Sequence, residues 1–248
     1  MAKIALITGA SSGFGRASAR LLAASGWQLV LVARRLERLQ SLQAELGESV
    51  LEIIELDVRH ADAVAAALAP WNGKINLLLN NAGLAAGLDP AWTADLTDWE
   101  MMVDTNIKGL NYVTRALLDG MVNNRSGHVI NIGSIAGSYP YPGGNAYGAT
   151  KAYVAQFSLN LRADLHGTGV RVTNIEPGLA ETEFSNVRFK GDAVKADAIY
   201  ENLQPLSPED IAETIRWCAE LPEHVNINRL EVMPSCQSFS ALAVHRDN

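Results

Sequence analysis

Short apolar runs of strand length recur along this chain, and they constrain its fold more than any other feature. Most are apolar almost throughout instead of alternating with polar residues, which is typical of strands buried on both faces of a parallel sheet. Segments with helical periodicity lie between them. The strand-like runs are residues 3–8, 28–33, 50–58, 75–83, 127–134, 170–178 and 227–233. The predicted helical segments are Phe14 to Ser25, Leu36 to Leu46, Ala61 to Leu68, Thr97 to Met121, Ala146 to Leu165 and Pro208 to Glu220.

Because strand and helix alternate, the sequence predicts an α/β fold with a single Rossmann-type, doubly wound parallel sheet of about seven strands and helices on both faces. A length of 248 residues suits one domain of this kind. We find no internal repeat, low-complexity tract or dividing linker, so we expect one domain over residues 1–248. The segment around residues 178–206 is polar and weakly periodic, which indicates a loop excursion over a site.

The charge balance is acidic, since 20 Lys and Arg against 27 Asp and Glu give −7 with His neutral. Phosphate-backbone binding needs clustered basic residues, so we expect neither nucleic acid nor an anionic membrane surface as a partner. No apolar run approaches the ~20 residues that cross a bilayer, and the N-terminal residues lack the pattern of a signal peptide. Two cysteines without a C-x-x-C pair and five histidines without ligand spacing argue against a disulfide framework or a metal site. A cytoplasmic location is expected.

A glycine-rich turn follows the first strand and opens the first helix, which is the context that a phosphate-binding turn requires. Gly9 can form the tight turn, Gly13 leaves room for a pyrophosphate, and Gly15 lets the helix pack closely on the strand. The helix N-terminus then offers unpaired N–H groups and a positive dipole end to the anion. The alternative is an ordinary glycine-rich turn between a strand and a helix.

Two arginines, Arg34 and Arg35, follow the second strand. An NAD enzyme is expected to carry an Asp or Glu here, roughly 20 residues past the glycine turn, to bind the ribose 2′-hydroxyl. Two guanidinium groups suit a 2′-phosphate instead, through charge and bidentate hydrogen bonds. A solvated helix N-terminus is the alternative, but cations are disfavoured at that end of the helix dipole. The sequence therefore predicts NADP(H) as the cofactor.

A tyrosine and a lysine four residues apart, Tyr147 and Lys151, lie in a predicted helix and so share one face. A phenol has a pKa of ~10, and a cation held nearby can lower that pKa by about 1–3 units. A tyrosine tuned in this way can exchange a proton with a carbonyl or alcohol oxygen. Ser134 ends a predicted strand at the carboxyl edge of the sheet, where it can hold that oxygen.

The spacing T-G-x-x-x-G-x-G at Thr8–Gly15 resembles the cofactor turn of the short-chain dehydrogenase/reductase family. The resemblance continues, in the family's order and over nearly the whole chain, through residues 80–83, Asn106, Ser134, residues 147–151 and residues 177–178. It implies that Ser134, Tyr147, Lys151 and Asn106 are the catalytic residues, with Lys151 also binding the nicotinamide ribose and Asn106 linking the lysine to solvent through water. It also implies a homo-oligomer, often a tetramer. The cofactor-binding residues predicted from the turn, the arginines and the resemblance are Gly9, Ser11, Ser12, Gly13, Phe14, Gly15, Arg34, Arg35, Asp57, Val58, Asn81, Ala82, Gly83, Tyr147, Lys151, Pro177, Gly178 and Thr182.

Residues 175–178, 182–192 and 226–246 resemble one branch of that family, the NADP-dependent 3-hydroxy acid dehydrogenases, which act on serine, L-allo-threonine and 3-hydroxypropionate or malonic semialdehyde. Similar enzymes reduce sulfoacetaldehyde to isethionate. Both readings need a cation for a small anionic substrate, and Arg188 or Lys190 could supply it. We expect the substrate to contact Ser134, Tyr141, Tyr147 and Arg188. Leu179-Ala180-Glu181 departs from the branch, which usually has glycines there.

A catalytically silent NADP-sensing protein is the alternative from another functional class. Such a protein has little reason to keep Ser134, Tyr147 and Lys151 together. We therefore expect an enzyme that transfers hydride between NADP(H) and a small 3-hydroxy acid or its semialdehyde or keto form.

Overall fold

The computed structural model describes residues 2–192, 194 and 199–238, apart from the side chain of Asn186. Residues 239–246, the end of the 226–246 resemblance, and residues 193 and 195–198 of the predicted excursion lie outside the described residues. Within them, seven strands form one parallel sheet in the order β3-β2-β1-β4-β5-β6-β7. The strands are β1 Ile4–Thr8, β2 Gln28–Ala33, β3 Val50–Glu55, β4 Leu77–Asn80, β5 Gly127–Ile132, β6 Val170–Pro177 and β7 Arg229–Val232. The predicted doubly wound α/β fold is confirmed.

Helices cover both faces of this sheet. They are α1 Gly13–Ala24, α2 Leu36–Leu46, α3 Ala61–Leu68, α4 Leu96–Val103, α5 Leu110–Asn123, α6 Asn145–Asp164, α7 Glu183–Arg188 and α8 Pro208–Glu220. The bounds of α2, α3 and α8 are those predicted from periodicity, and α8 begins with the capping box of Ser207 and Asp210.

The helix predicted from Thr97 to Met121 is present, but it is not α-helical throughout. A π-helical turn, Asp104–Gly109, separates α4 from α5. Its last residue packs directly on the loop after β3, because a Cβ at Gly109 would lie 2.6 Å from Cγ2 of Val58. A wider turn lets the helix bring this glycine against Val58 and point polar side chains inward, and such turns often occur at functional sites.

Successive strand residues divide between two apolar cores. On β2, Leu29 and Leu31 pack with α1, α2 and α8, whereas Val30 and Val32 pack with α3, α5 and α6. This division follows from the two-residue period of a strand, and it explains why the strands are apolar throughout.

The strand order reverses between β1 and β4, since β2 and β3 extend the sheet to one side and β5 to β7 extend it to the other. Loops that leave the carboxyl ends of β1 and β4 diverge to opposite faces, which opens a crevice where doubly wound sheets bind ligands. Of the helices in the described ranges, none combines the length and the apolar character needed to cross a membrane.

Candidate active site

The glycine turn after β1 forms the floor of this crevice. Gly9 has a φ of +67°, and a Cβ there would lie 2.8 Å from Nδ2 of Asn81; a Cβ at Gly15 would lie 2.5 Å from the carbonyl oxygen of Gly9. The Asn81 amide donates to the Thr8 carbonyl oxygen at 2.9 Å, which ties the end of β4 to the turn. Ser12 precedes α1 without a side-chain capping bond, so it leaves the first N–H groups of α1 available to an anion.

A cavity of about 560 Å³ lies over this floor, within the size range of cofactor and ligand sites. Twenty of the predicted site residues line it, while Gly15 and Asn106 do not. The residues that do are Gly9, Ser11, Ser12, Gly13, Phe14, Arg34, Arg35, Asp57, Val58, Asn81, Ala82, Gly83, Ser134, Tyr141, Tyr147, Lys151, Pro177, Gly178, Thr182 and Arg188. Thr105 also lines it, and its buried hydroxyl has no hydrogen-bond partner among the described residues. An orphaned hydroxyl in the wall of the same cavity fits a polar ligand such as a dinucleotide.

At one end of the cavity, Arg35 lies between the glycine turn and α2. Its Nη2 donates to the hydroxyls of Ser11 at 3.1 Å and Ser12 at 2.8 Å. Its Nη1 lies 3.0 Å from Oε2 of Glu183, which also pairs with Arg38. The sequence reasoning missed Glu183 and Arg38. The signal for Arg38 was its position one helical turn beyond the two predicted arginines, but Glu183 is brought there only by the fold.

Asp57 faces the cavity just beyond β3 and is held by Arg59. Both Asp57 carboxylate oxygens accept hydrogen bonds from the Arg59 side chain, at 2.6–3.0 Å. Burial raises the pKa of Asp57, but the hydrogen bonds from Arg59 outweigh it and leave the pKa below its ordinary value. The carboxylate is therefore ionised and already paired, and Val58 supplies the apolar surface beside it.

The other end of the cavity holds Tyr147 and Lys151 on α6 and Ser134 just past β5. Burial raises the pKa of Tyr147 to about 12, while a hydrogen bond with Ser134 and the charge of Arg188 act in the lowering direction. This differs from the prediction of a tyrosine whose pKa is depressed by Lys151. The reason is desolvation, because Tyr147 is only 9% exposed and its ionised form loses the solvation that it would have in water.

Lys151 is also buried, and its ammonium donates to the carbonyl oxygen of Ile132 at 2.8 Å. Its Nζ lies 5.8 Å from the centroid of the Tyr147 ring. Burial lowers the pKa of Lys151 to about 8. Lys151 is thus held beside the tyrosine, close enough to neutrality to exchange a proton near physiological pH.

Asn106 lies in the π-helical turn, where its side chain is buried. Its amide nitrogen donates to the Leu84 carbonyl oxygen at 2.8 Å and to Thr150 Oγ1 at 3.0 Å, and its amide oxygen accepts from Leu84 N at 2.9 Å. The side chain therefore ties the loop after β4 to α6, next to Gly83, where a Cβ would lie 3.6 Å from Nζ of Lys151. Its hydrogen bonds go to Leu84 and Thr150, whereas that of the Lys151 ammonium goes to Ile132.

Of the two cations proposed for a substrate anion, the structure directs only Arg188 into the cavity. The Arg188 guanidinium lies 5.3 Å from the ring centroid of Tyr141 and 5.7 Å from that of Tyr147, and it donates to the Tyr141 hydroxyl. Lys190 instead pairs with Asp98 at 2.9 Å, outside the cavity wall.

Residues 179–192, which we call the strap, carry α7 across the mouth of the cavity. Backbone hydrogen bonds from Glu181 to Leu206 (2.8 Å) and from Gly87 to Arg188 (3.0 Å) attach the strap at both ends. Phe184 packs on Tyr147 with ring centroids 5.5 Å apart. The departure from the branch's glycines thus falls in a segment that pairs with Leu206 instead of turning freely.

Three comparisons with known proteins agree with this geometry. The family model described as "short chain dehydrogenase" matches residues 3–193. The NADP-dependent 3-hydroxy acid dehydrogenase YdfG of Salmonella typhi is 59% identical over 248 residues, which cover 98% of this chain and 99% of that protein. Sulfoacetaldehyde reductase 2 of Chromohalobacter salexigens is 52% identical over 252 residues and all of both chains.

Among solved structures, the closed form of serine dehydrogenase complexed with NADP⁺ is similar to this chain over its whole length. The two are 56% identical, the match covers 98% of this chain and 100% of the other, and the TM-score is 0.96.

Proposed function

Because this chain belongs to the short-chain dehydrogenase family, we propose that it is an NADP(H)-dependent oxidoreductase that interconverts a small 3-hydroxy acid and its semialdehyde or keto form. The observation that carries the substrate class is the guanidinium of Arg188, placed 5.7 Å from the ring of Tyr147 inside the cavity. A carboxylate on that guanidinium brings a hydroxyl or carbonyl two carbons away toward the tyrosine.

The residues of the crevice fit NADP(H). The open amides of α1 and the glycine turn suit the pyrophosphate, Arg34 and Arg35 suit the 2′-phosphate, and Thr182 lies on the strap opposite Gly13. When bound, this cofactor supplies or accepts the hydride. The similarity to an NADP⁺ complex supports the same choice.

The chain's own residues manage the proton and the substrate oxygen. Ser134 and the Tyr147 hydroxyl hold the oxygen between them, and the tyrosine gives it a proton during reduction or takes one during oxidation. Lys151 binds the nicotinamide ribose and replenishes the tyrosine's proton. A catalytically silent NADP-sensing protein does not need Ser134, Tyr147 and Lys151 together at one end of the cavity. The presence of these three side chains therefore favours an enzyme.

Reduction of sulfoacetaldehyde is the second candidate function, supported by the 52% identical reductase. A guanidinium can bind a sulfonate as well as a carboxylate, because either anion can accept two hydrogen bonds from its N–H groups. The pocket chemistry therefore supports both substrates.

Absorbance of NADPH with a panel of substrates tests the proposal. We expect turnover of L-serine, L-allo-threonine, 3-hydroxypropionate or sulfoacetaldehyde, and a KM raised by about 10- to 100-fold in Arg188→Ala for the anionic substrates. A small neutral aldehyde is the control, since its KM should not change. Equal KM values for anionic substrates in both proteins would rule out Arg188 as the anion site.

We also propose a homotetramer in the cytoplasm. Both cysteines are free thiols, which favours the reducing cytoplasm. Apolar side chains such as Leu159 on α6 and Trp217 on α8 are exposed, which favours contacts between subunits. Mass photometry of the purified protein tests the assembly, and a monomer would refute it.

A further inference from the structure

Glu183 forms a bridge that no catalytic or substrate role explains. Its carboxylate lies 3.0 Å from Nη1 of Arg35 and 2.6 Å from Nη1 of Arg38. The two arginines stand at the start of α2, while Glu183 is the first residue of α7 in the strap. The bridge therefore joins segments that are about 150 residues apart in the chain and lie on opposite sides of the cavity mouth.

The neighbours of Glu183 both face the cavity. Thr182 lines the cavity beside Gly13, where a Cβ would lie 3.7 Å from Cβ of the threonine. Phe184 packs on the ring of Tyr147. A carboxylate fixed between these two residues therefore sets the position of both, so its anchor on α2 can control how the strap covers the reacting groups.

The positive charges around Glu183 are sufficient to bind both its carboxylate and a phosphate. Arg34, Arg35 and Arg38 carry three positive charges, and Glu183 neutralises one of them. A phosphate monoester carries about −1.5 to −2 at neutral pH. Arg38 does not line the cavity and bonds Glu183 through both carboxylate oxygens, whereas Arg35 also faces the cavity and the glycine turn. Arg38 can thus retain the carboxylate while Arg35 turns to a phosphate.

We propose that Glu183 is a positioning residue that latches the strap to the arginines of the 2′-phosphate site, so that the strap closes over the substrate end of the cavity. The inference rests on the proposed NADP(H)-dependent reaction. It adds a coupling between the two ends of the site, because Arg35 contacts both the latch and the predicted phosphate position.

Three variants test the latch. Glu183→Gln removes its charge and keeps its shape, Arg38→Gln removes the partner outside the cavity, and the double variant measures their coupling. Glu45→Gln is the matched control, because Glu45 also pairs with two arginines, Arg16 and Arg20, at similar exposure but away from the cavity.

Hydrogen exchange of residues 179–192 with NADP⁺ bound is the readout that does not depend on turnover. We expect Glu183→Gln and Arg38→Gln each to speed this exchange by roughly two- to fivefold, the range of exposed ion pairs. The double variant should be no faster than the single variants, and Glu45→Gln should match the wild type.

The loss of the Glu183 charge should weaken substrate binding without weakening cofactor binding. In Glu183→Gln the substrate KM should rise by roughly two- to fivefold, whereas the Kd of NADP⁺ should stay the same or fall because the arginines lose a competing negative charge. A general structural loss would weaken both.

Two outcomes would overturn the latch. One is hydrogen exchange of the strap in Glu183→Gln and Arg38→Gln that is no faster than in the wild type and in Glu45→Gln. The other is tighter NADP⁺ binding with no change in exchange or KM, which would show that Glu183 only competes with the phosphate. A wild-type protein that turns over no tested substrate would count against the proposed function, and the exchange measurement would still decide the latch.

Discussion

At the scale of single residues, desolvation is the dominant influence on the reacting groups. Burial moves the pKa of Tyr147 up to about 12 and that of Lys151 down to about 8, so the tyrosine is neutral at pH 7 whereas the lysine is still mainly an ammonium, one pH unit from half ionisation. A buried tyrosine hydroxyl can therefore donate a proton, and a lysine whose pKa is lowered in this way gives up its own proton more readily than an exposed lysine does. The guanidinium of Arg188 opposes the effect on Tyr147, which ties the proton donor to the proposed anion site.

Replacing Tyr147 by Phe should lower kcat by about 10²- to 10⁴-fold, because the ring remains but the exchangeable proton is gone. NADP(H) binding should be nearly unchanged by titration calorimetry. Tyr153→Phe on the same helix is the control, since Tyr153 is exposed and bonds Asn111 away from the cavity. Normal turnover in Tyr147→Phe would exclude this tyrosine as the proton donor.

Replacing Lys151 by Met should abolish turnover yet stabilise the fold near neutral pH. The lysine has a pKa of about 8 when folded and 10.5 as its ordinary value, so between these values the unfolded chain binds more protons and wild-type stability rises with pH. Below that window the buried ammonium costs stability, offset partly by its bond to Ile132. We expect Met to add about 1–2 kcal/mol near pH 7.

The advantage of Lys151→Met should shrink as the pH rises toward 10.5. Urea unfolding near pH 7 and near pH 10 measures it, with the exposed Lys3→Met as the control. A constant difference at both pH values would contradict the assignment of a buried, destabilised ammonium.

At the scale of elements, β6 and β7 hold the turn that follows Ser134. The Glu176 carboxylate on β6, only 1% exposed, pairs with Arg229 on β7 at 2.6 Å. Arg229 also donates to the hydroxyl of Ser138. Burial raises the pKa of Glu176, with Arg229 acting in the lowering direction. This ion pair, through Arg229 and Ser138, therefore holds the turn that follows Ser134 against the edge of the sheet.

Arg229→Met should destabilise the fold by about 2–4 kcal/mol, because it leaves a buried carboxylate unpaired. Without the guanidinium the pKa of Glu176 rises further, so the carboxyl is protonated at mildly acidic pH and the loss should be smaller near pH 5 than near pH 8. Urea unfolding at the two pH values measures this. Adding Glu176→Gln should recover part of the loss; a pH-independent loss without recovery would contradict the pairing.

Elements with a strong period were predictable, and departures from that period were not. Continuous apolar runs and capping residues located the strands and most helices, α8 to the residue. The π-helical turn was not predicted from the sequence, because it accompanies a tertiary contact between Gly109 and Val58. The contact of Glu183 with α2 was not predicted for the same reason, since the sequence around Glu183 does not indicate that α2 is its neighbour.

At the scale of the whole molecule, a negative net charge surrounds a positively charged site. Arg34, Arg35 and Arg38 gather at one end of the cavity and Arg188 at the other, although the chain carries −7 overall. Motif order predicted many of the residues that line the cavity, but not Glu183 or its partner Arg38, which the fold brings to its edge. Their pKa values and Arg188's partners could not be predicted, because these depend on burial and on side-chain packing.

Cofactor choice should be visible in the stability of the whole protein. At a concentration of 100 times its Kd, NADP⁺ should stabilise the fold by about 2.7 kcal/mol and raise the Tm by roughly 5–10 °C. NAD⁺ at the same concentration should raise it less. Arg34→Ala with Arg35→Ala should reduce the NADP⁺ shift to that of NAD⁺. A larger shift with NAD⁺ in the wild type would reverse the assignment of the cofactor.

The position of β1 between β2 and β4 also bears on how the chain is made. Ala5 pairs with Leu29 on one side but with Leu77 on the other, and Leu77 follows Leu29 in the chain by about 50 residues. At about 5–20 residues per second, a ribosome delivers that second neighbour several seconds after the first. Throughout this interval β1 has a bare apolar edge, so nascent chains that end before β4 are the ones that should need chaperones to avoid aggregation.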